Sequence, residues 1–316
     1  MRQTRFLICL LGWTSAVVTT SGCVDDPPSG HRTGKVTVAV SIIPQAWLVR
    51  QIGGDHVDVL TLVKPGTQPE THQPTDTDAG RTMAATAYFC IGVPFETGRW
   101  FEAIRSSGKV TIVDTRKGIG LRQMTRQSDE PNHDFDHHDG HRHGGHDPHI
   151  WLCPRLLKIQ AQTITQTLVK LDPQHADTYQ QNLHSVEQNL DQLDQTIRHR
   201  LAPFRGRAFV AFHPAWGYFA DEYGLRQIAV EVQGKDPSDQ QITQLQRLAS
   251  QERLGVVFVP PQISDRLAYA IAKSLNARIE TLDPLAPDVA ANLLRVAEAI
   301  AASLGSNETT TGTTHP

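Results

Sequence analysis

Charge of one sign is missing from this sequence. Thirty Lys and Arg stand against 33 Asp and Glu, a net charge of −3. No basic stripe interrupts the chain, so a nucleic-acid partner held through its phosphates is excluded. Long apolar runs are also missing. Beyond residue 18 no stretch approaches the roughly 20 apolar residues that a membrane-spanning helix needs. Cysteine is scarce, with four in 316 residues. That rules out a disulfide-stapled scaffold and a thiolate-rich metal site. Of the four, Cys90 and Cys153 fall in the body of the chain. They are expected as two small buried residues rather than as a disulfide. The His-Glu-x-x-His helix of zinc peptidases does not occur, and no short tandem repeat is found.

What is present begins with a leader. Arg2 and Arg5 precede a short apolar run over residues 6–18, and Thr20, Ser21 and Gly22 lead to Cys23. The run has the length of a signal core and is too short to span a membrane. Residues 1–22 are read as a lipoprotein-type signal peptide, with Cys23 as the lipid anchor. Residues 23–34 are rich in Pro, Gly and Asp and read as a flexible tether. The mature chain is therefore expected in the periplasm or on the outer face of the cytoplasmic membrane. The tail over 306–316 has no core-forming residue and reads as disordered.

Between these ends the chain alternates β-branched runs with amphipathic stretches. "KVTVAVSI", "HVDVLTLV", "YFCIGV" and "KVTIVD" read as strands in a first half, residues 35–172. "GRAFVAF", "LRQIAVEV", "VVFVP" and "ARIETL" do so in a second, residues 204–305. Each is followed by a helical pattern with Pro, Ser or Asp at its start and often Gly at its end. Alternation of this kind predicts α/β lobes with mainly parallel sheets covered by helices. Residues 173–203 differ. They form one polar stretch with an apolar stripe at Leu183, Val186, Leu190, Leu193 and Ile197. A helix of about 29 residues would run about 43 Å, which suits a rigid spine joining two lobes.

The histidines are unevenly placed. Seven of the fifteen lie between His133 and His149. His133, His137, His138, His141, His143 and His146 are interleaved with Asp and Gly and lack periodicity. This 133–146 loop reads as a flexible, weak metal-capture segment. His149 belongs to the apolar "DPHIWL" that follows, so the segment divides at Asp147. Ligands of open parallel sheets bind beyond the carboxyl ends of the strands. Four positions fall there: "PETHQPT" with Glu70 and His72, "DPHIWL" with His149, "FHPAWGYF" with His213, and "TLDPL" with Asp283. Imidazoles and carboxylates from both halves predict one metal ion in the cleft between the lobes.

These motifs, with "VAVSIIPQAWLVRQIGGDHVDV", "EVQGKDPS" and "VVFVPPQ", occur in an order that resembles the solute-binding lipoproteins of bacterial zinc and manganese ABC importers, the ZnuA/TroA-like family. The resemblance covers almost all of residues 35–304. It implies two lobes joined by a long helix, metal ligands at His149, His213 and Asp283, and Zn2+ as cargo, with Mn2+ the lesser candidate. It also implies delivery to the membrane permease of an ABC importer by a monomer that is not an enzyme. One position departs from the pattern: Glu70 stands where the family has His, and His72 where Tyr is common. The first ligand is thus Glu70 or His72. A metal-buffering or sensing lipoprotein acting through the His loop, a zinc hydrolase, and a manganese-type binding protein are the competing readings.

Overall fold

The computed structural model describes residues 34–124, 145–231 and 237–305. The leader, Cys23, His133 to His143 and the tail lie outside the described residues. Among the described residues, no helix is long and apolar enough to cross a membrane.

The first lobe is built on β1 (Val36–Val40), β2 (Val57–Thr61), β3 (Ala87–Cys90) and β4 (Thr111–Asp114). All pair in parallel, in the order β2-β1-β3-β4, with Val38 opposite both Val59 and Ala87. Parallel neighbours require crossovers. These are α1 (Ile43–Gly53), α2 (Asp76–Ala84) and α3 (Arg99–Ser107). Pro44 sits in the first turn of α1, where its missing N–H costs nothing. Thr75 and Asp78 cap α2 reciprocally, each side chain meeting the other's backbone N–H.

The second lobe repeats the plan. Strands β5 (Ala208–Ala211), β6 (Arg226–Ala229), β7 (Val256–Val259) and β8 (Arg278–Thr281) pair in parallel in the order β6-β5-β7-β8. Helices α6 (Gly217–Tyr223), α7 (Asp239–Gln251), α8 (Asp265–Ser274) and α9 (Val289–Gly305) follow the strands in turn. Between β4 and β5 run α4 (Pro154–Leu171) and α5 (Ala176–Leu201). Gly224 ends α6 with φ 71°, a left-handed cap that a Cβ would strain. The strand expected to run to Val232 stops at Ala229, and the chain beyond it leads directly to Glu231.

The core follows from the topology. The inner strands β3, β5 and β7 are buried along their whole length, while the edge strands β4 and β8 are largely open. Helix α5 has 26 residues and therefore runs about 39 Å. Its stripe of Val186, Leu190 and Ile197 is buried, with Leu183 and Leu193 half-buried beside it. That stripe packs on α1 and α4 and on α9, so one helix touches both lobes. Short 3-10 turns at Pro173–His175 and Ala202–Phe204 bracket it, because Pro173 and Pro203 cannot donate to an α-helical ladder. Cys90 and Cys153 are buried free thiols.

Candidate metal centre

Three side chains meet at the carboxyl ends of the strands. Glu70 comes from the turn after β2, His149 from the connection between β4 and α4, and His213 from just beyond β5. Strand β5 lies between β6 and β7, so its end is where the connections diverge to opposite sides and leave a crevice. Glu70 Oε1 lies 3.8 Å from His149 Nε2 and 3.5 Å from His213 Nε2. The two Nε2 atoms are 3.2 Å apart. Among the described residues this is the one group of three metal-ligating side chains whose ligand atoms all lie within 4.8 Å of one another.

Each imidazole is backed by a carboxylate. His149 Nδ1 lies 2.7 Å from Asp147 Oδ1, which also accepts the His149 backbone N–H at 3.0 Å. His213 Nδ1 lies 3.1 Å from Glu231 Oε2. An acceptor on Nδ1 places the proton there and turns the Nε2 lone pair toward Glu70. Sequence reasoning missed both partners. Asp147 was within reach, because an Asp two residues before a His can accept from both its backbone and its ring. Glu231 sits 18 residues from His213 in sequence, and only the pairing of β5 with β6 brings the two together.

The electrostatics follow from burial and these partners. Burial opposes charge on Glu70, yet hydrogen bonds from His149 and His213 hold its carboxyl far below the usual carboxylate range. Burial also opposes charge on His213, but Glu231 and Glu70 outweigh it and push the imidazolium up to about 9. His149 is raised as well, with burial working against it and Asp147 for it. Burial raises Asp147, and the charge and hydrogen bonds of His149 bring it below its ordinary value. Two ring nitrogens and a carboxylate oxygen converging this closely call for a cation among them, a proton or a metal ion. The cavity they face measures about 20 Å³ and is walled by Pro69, Trp151, Pro260, Pro284 and Leu285. That is room for an ion and not for an organic ligand.

The other expected residues lie elsewhere. Asp283 Oδ1 accepts from Leu285 N at 2.9 Å and from Gln262 Nε2 at 3.1 Å, the bonding of an Asp-Pro turn. Its carboxylate is outside the three-atom group, although the next two residues wall the cavity. His72 lies edge-on to Phe95, with ring centroids 5.0 Å apart. Burial lowers its pKa, and among the described residues its buried Nε2 has no hydrogen-bond partner. His146 is exposed and pairs through Nδ1 with Gln123 Nε2 at 3.3 Å.

The chain resembles known proteins over most of its length. It is similar to the "Zinc-binding protein AdcA" of Streptococcus pyogenes serotype M3, 28% identical over 265 residues, covering 80% of this chain and 51% of that protein. It thus spans about half the length of the AdcA relatives it matches. It is 28% identical over 256 residues to the "High-affinity zinc uptake system protein ZnuA" of Bacillus subtilis, covering 79% of each. A solved structure titled "Crystal structure of ZnuA" superposes with a TM-score of 0.75 at 36% identity, over 85% of this chain and 99% of that one. A zinc-bound ZnuA deletion mutant gives 0.74 at 37% identity, over 85% and 98%. Residues 38–305 match the family model described as "ZnuA: Zinc-uptake complex component A periplasmic", and the chain belongs to that family.

Proposed function

We propose that this protein binds Zn2+ outside the cytoplasmic membrane and delivers it to the permease of an ABC importer. The observation that carries this reading is the convergence of Glu70, His149 and His213 between two lobes, with a carboxylate behind each imidazole. The zinc-bound relatives and the family description support the same cargo. Two imidazoles and one carboxylate suit zinc, and affinity at such a site rises from Mn2+ toward Zn2+. Glu70 then takes the place of the first ligand. Tethering through Cys23 belongs to the same reading, as does action as a monomer.

Three protein ligands are also what a catalytic zinc keeps, so a hydrolase deserves a test against the geometry. Hydrolysis needs a general base and room for a substrate. The cavity walls are mostly proline, leucine and tryptophan, with Gln68 and Gln262 as the other polar groups. Binding, not catalysis, is what such walls support. Titration of metal-free protein with Zn2+ in competition with a chelator, repeated with Mn2+, tests the reading. One tight zinc per chain, with weaker manganese, is expected. Equal or tighter manganese binding, or no tight zinc, overturns it.

A further inference from the structure

Arg122 lies behind the site and touches none of its three ligand atoms. Its Nη1 donates to Asp147 Oδ2 at 3.1 Å, while Asp147 Oδ1 holds His149. The Asp147 side chain is 1% exposed and that of Arg122 23%, so this ion pair is largely shielded from water. Arg122 Nε also lies 3.1 Å from Asp221 Oδ2, but its N–H is not aimed at that oxygen and Asp221 is exposed. An exposed pair of that kind contributes little. The Asp147 contact is therefore the one that matters.

The second lobe is shaped around this pair. Tyr218 of α6 accepts the Arg122 backbone N–H at 3.1 Å and donates its hydroxyl to the Asp147 carbonyl at 2.9 Å. The Arg122 guanidinium lies over the Tyr218 ring, 5.8 Å from its centre. Gly217, the first residue of α6, has no side chain where Arg122 passes. A Cβ there would lie 1.3 Å from Arg122 Nη1 and 2.9 Å from Asp147 Oδ2. The backbone of Gly217 is ordinary helix, so it is space and not φ that requires glycine.

We propose that Arg122 is a positioning residue for metal binding. It fixes the second oxygen of Asp147, and so the plane in which Asp147 holds the His149 ring. Because Tyr218 and Gly217 frame it from the second lobe, His149 is aligned only while α6 is docked against the connection that carries it. Lobe contact and ligand geometry are thereby linked. The inference rests on the reading that His149 ligates the metal.

The test uses full-length protein and measures zinc affinity by chelator competition, with the melting temperature of metal-free protein recorded for each variant. Loss of a group that orients a ligating histidine weakens metal binding about 10- to 100-fold. Arg122→Ala is expected to lose affinity in that range. Asp147→Asn should lose at least as much, and the double variant should bind no more weakly than Asp147→Asn alone. Arg122→Lys keeps the charge without the planar fork and should fall between Arg122→Ala and the parent. A purely electrostatic role predicts the opposite sign, because removing a cation would tighten zinc. Tighter or unchanged binding in Arg122→Ala overturns the proposal, as does a double variant whose losses multiply. If Arg122→Ala does not fold, Arg122→Lys in the same cycle with Asp147→Asn decides by the same criterion. Failure of the underlying reading looks different: His149→Ala would then bind zinc as the parent does.

Discussion

His149 and His213 face one another with their Nε2 atoms 3.2 Å apart. Both Nδ1 atoms are engaged by carboxylates, so the two lone pairs have nowhere else to turn. Two neutral imidazoles in this arrangement repel. The pair is stable only with positive charge between them, supplied by a proton in the metal-free protein and by zinc when it binds.

Removing His213 should therefore remove the zinc response. A ligand at about 1,000 times its dissociation constant stabilises the state it binds by about 4 kcal/mol. Zinc should raise the melting temperature of the parent clearly. His213→Ala should lose most of that shift, measured with the 133–145 segment deleted so that loop binding does not mask it. A shift of the parent's size in His213→Ala would refute the ligand assignment.

The pH dependence has two opposite signs. In metal-free protein the folded His213 imidazolium is pushed up to about 9, above its unfolded value of 6.5, by Glu231 and Glu70 against the pull of burial. Its contribution to stability is complete below pH 6.5 and is lost as pH rises through about 9. Zinc needs the neutral ring, so its apparent affinity should rise over the same window, about tenfold per pH unit for each proton displaced. Calorimetry in buffers of different ionisation enthalpy should count at least about one proton released near neutral pH. Affinity that is flat from pH 6 to 8, with no proton release, contradicts this account.

Glu70 and His72 should separate cleanly. Glu70 places Oε1 within 3.8 Å of both Nε2 atoms, while His72 stacks edge-on against Phe95. Glu70→Gln keeps the shape and removes the charge, and should weaken zinc by at least the roughly tenfold seen when a ligand's support is lost. His72→Ala should stay within a few-fold of the parent. The reverse ranking in a competition titration would place His72 in the site and Glu70 outside it.

How legible this was depended on the range of the interaction. The strands and their order of appearance could be read, because β-branched runs bounded by Gly and Pro are local signals. So could the end of α6 at Gly224. His149 was legible because the apolar residues after it set it apart from the polar run before it, and His213 because a histidine just past a strand lies at the sheet's binding edge whatever the rest of the fold does. Asp283 met the same criterion, yet its carboxylate is engaged by Leu285 N and Gln262. Being past a strand end does not say which way a side chain turns. Glu231 and Arg122 act through partners 18 and 25 residues away, and nothing local to them signals a role. Gly217 is plainer still: a glycine inside a helix reads as a weak point until the guanidinium beside it is seen.

The two ends of the His-rich segment are held side by side, with Met124 N bonded to Gly145 O at 3.2 Å and Asp147 N to Arg122 O at 2.9 Å. Gln123 and His146 form an antiparallel bridge between them. The segment thus leaves and re-enters the body at one neck, and His149 is anchored below that neck by Asp147. A chelate formed by His133, His137, His138, His141 and His143 must fix a Gly- and Asp-rich backbone, at about 1–2 kcal/mol per ordered residue. The site at His149 and His213 is held by Asp147 and by the end of β5 and loses far less. Extra zinc should therefore bind weakly to the segment and one zinc tightly to the cleft. Replacing residues 125–144 by Asn-Gly, the pair that closes a two-residue antiparallel turn, should preserve the neck. Calorimetry of that variant should show fewer zinc ions in total, with the single tight event unchanged in affinity. Loss of the tight event, with the neck intact by circular dichroism and melting temperature, would make the segment part of the primary site and erase the boundary at Asp147.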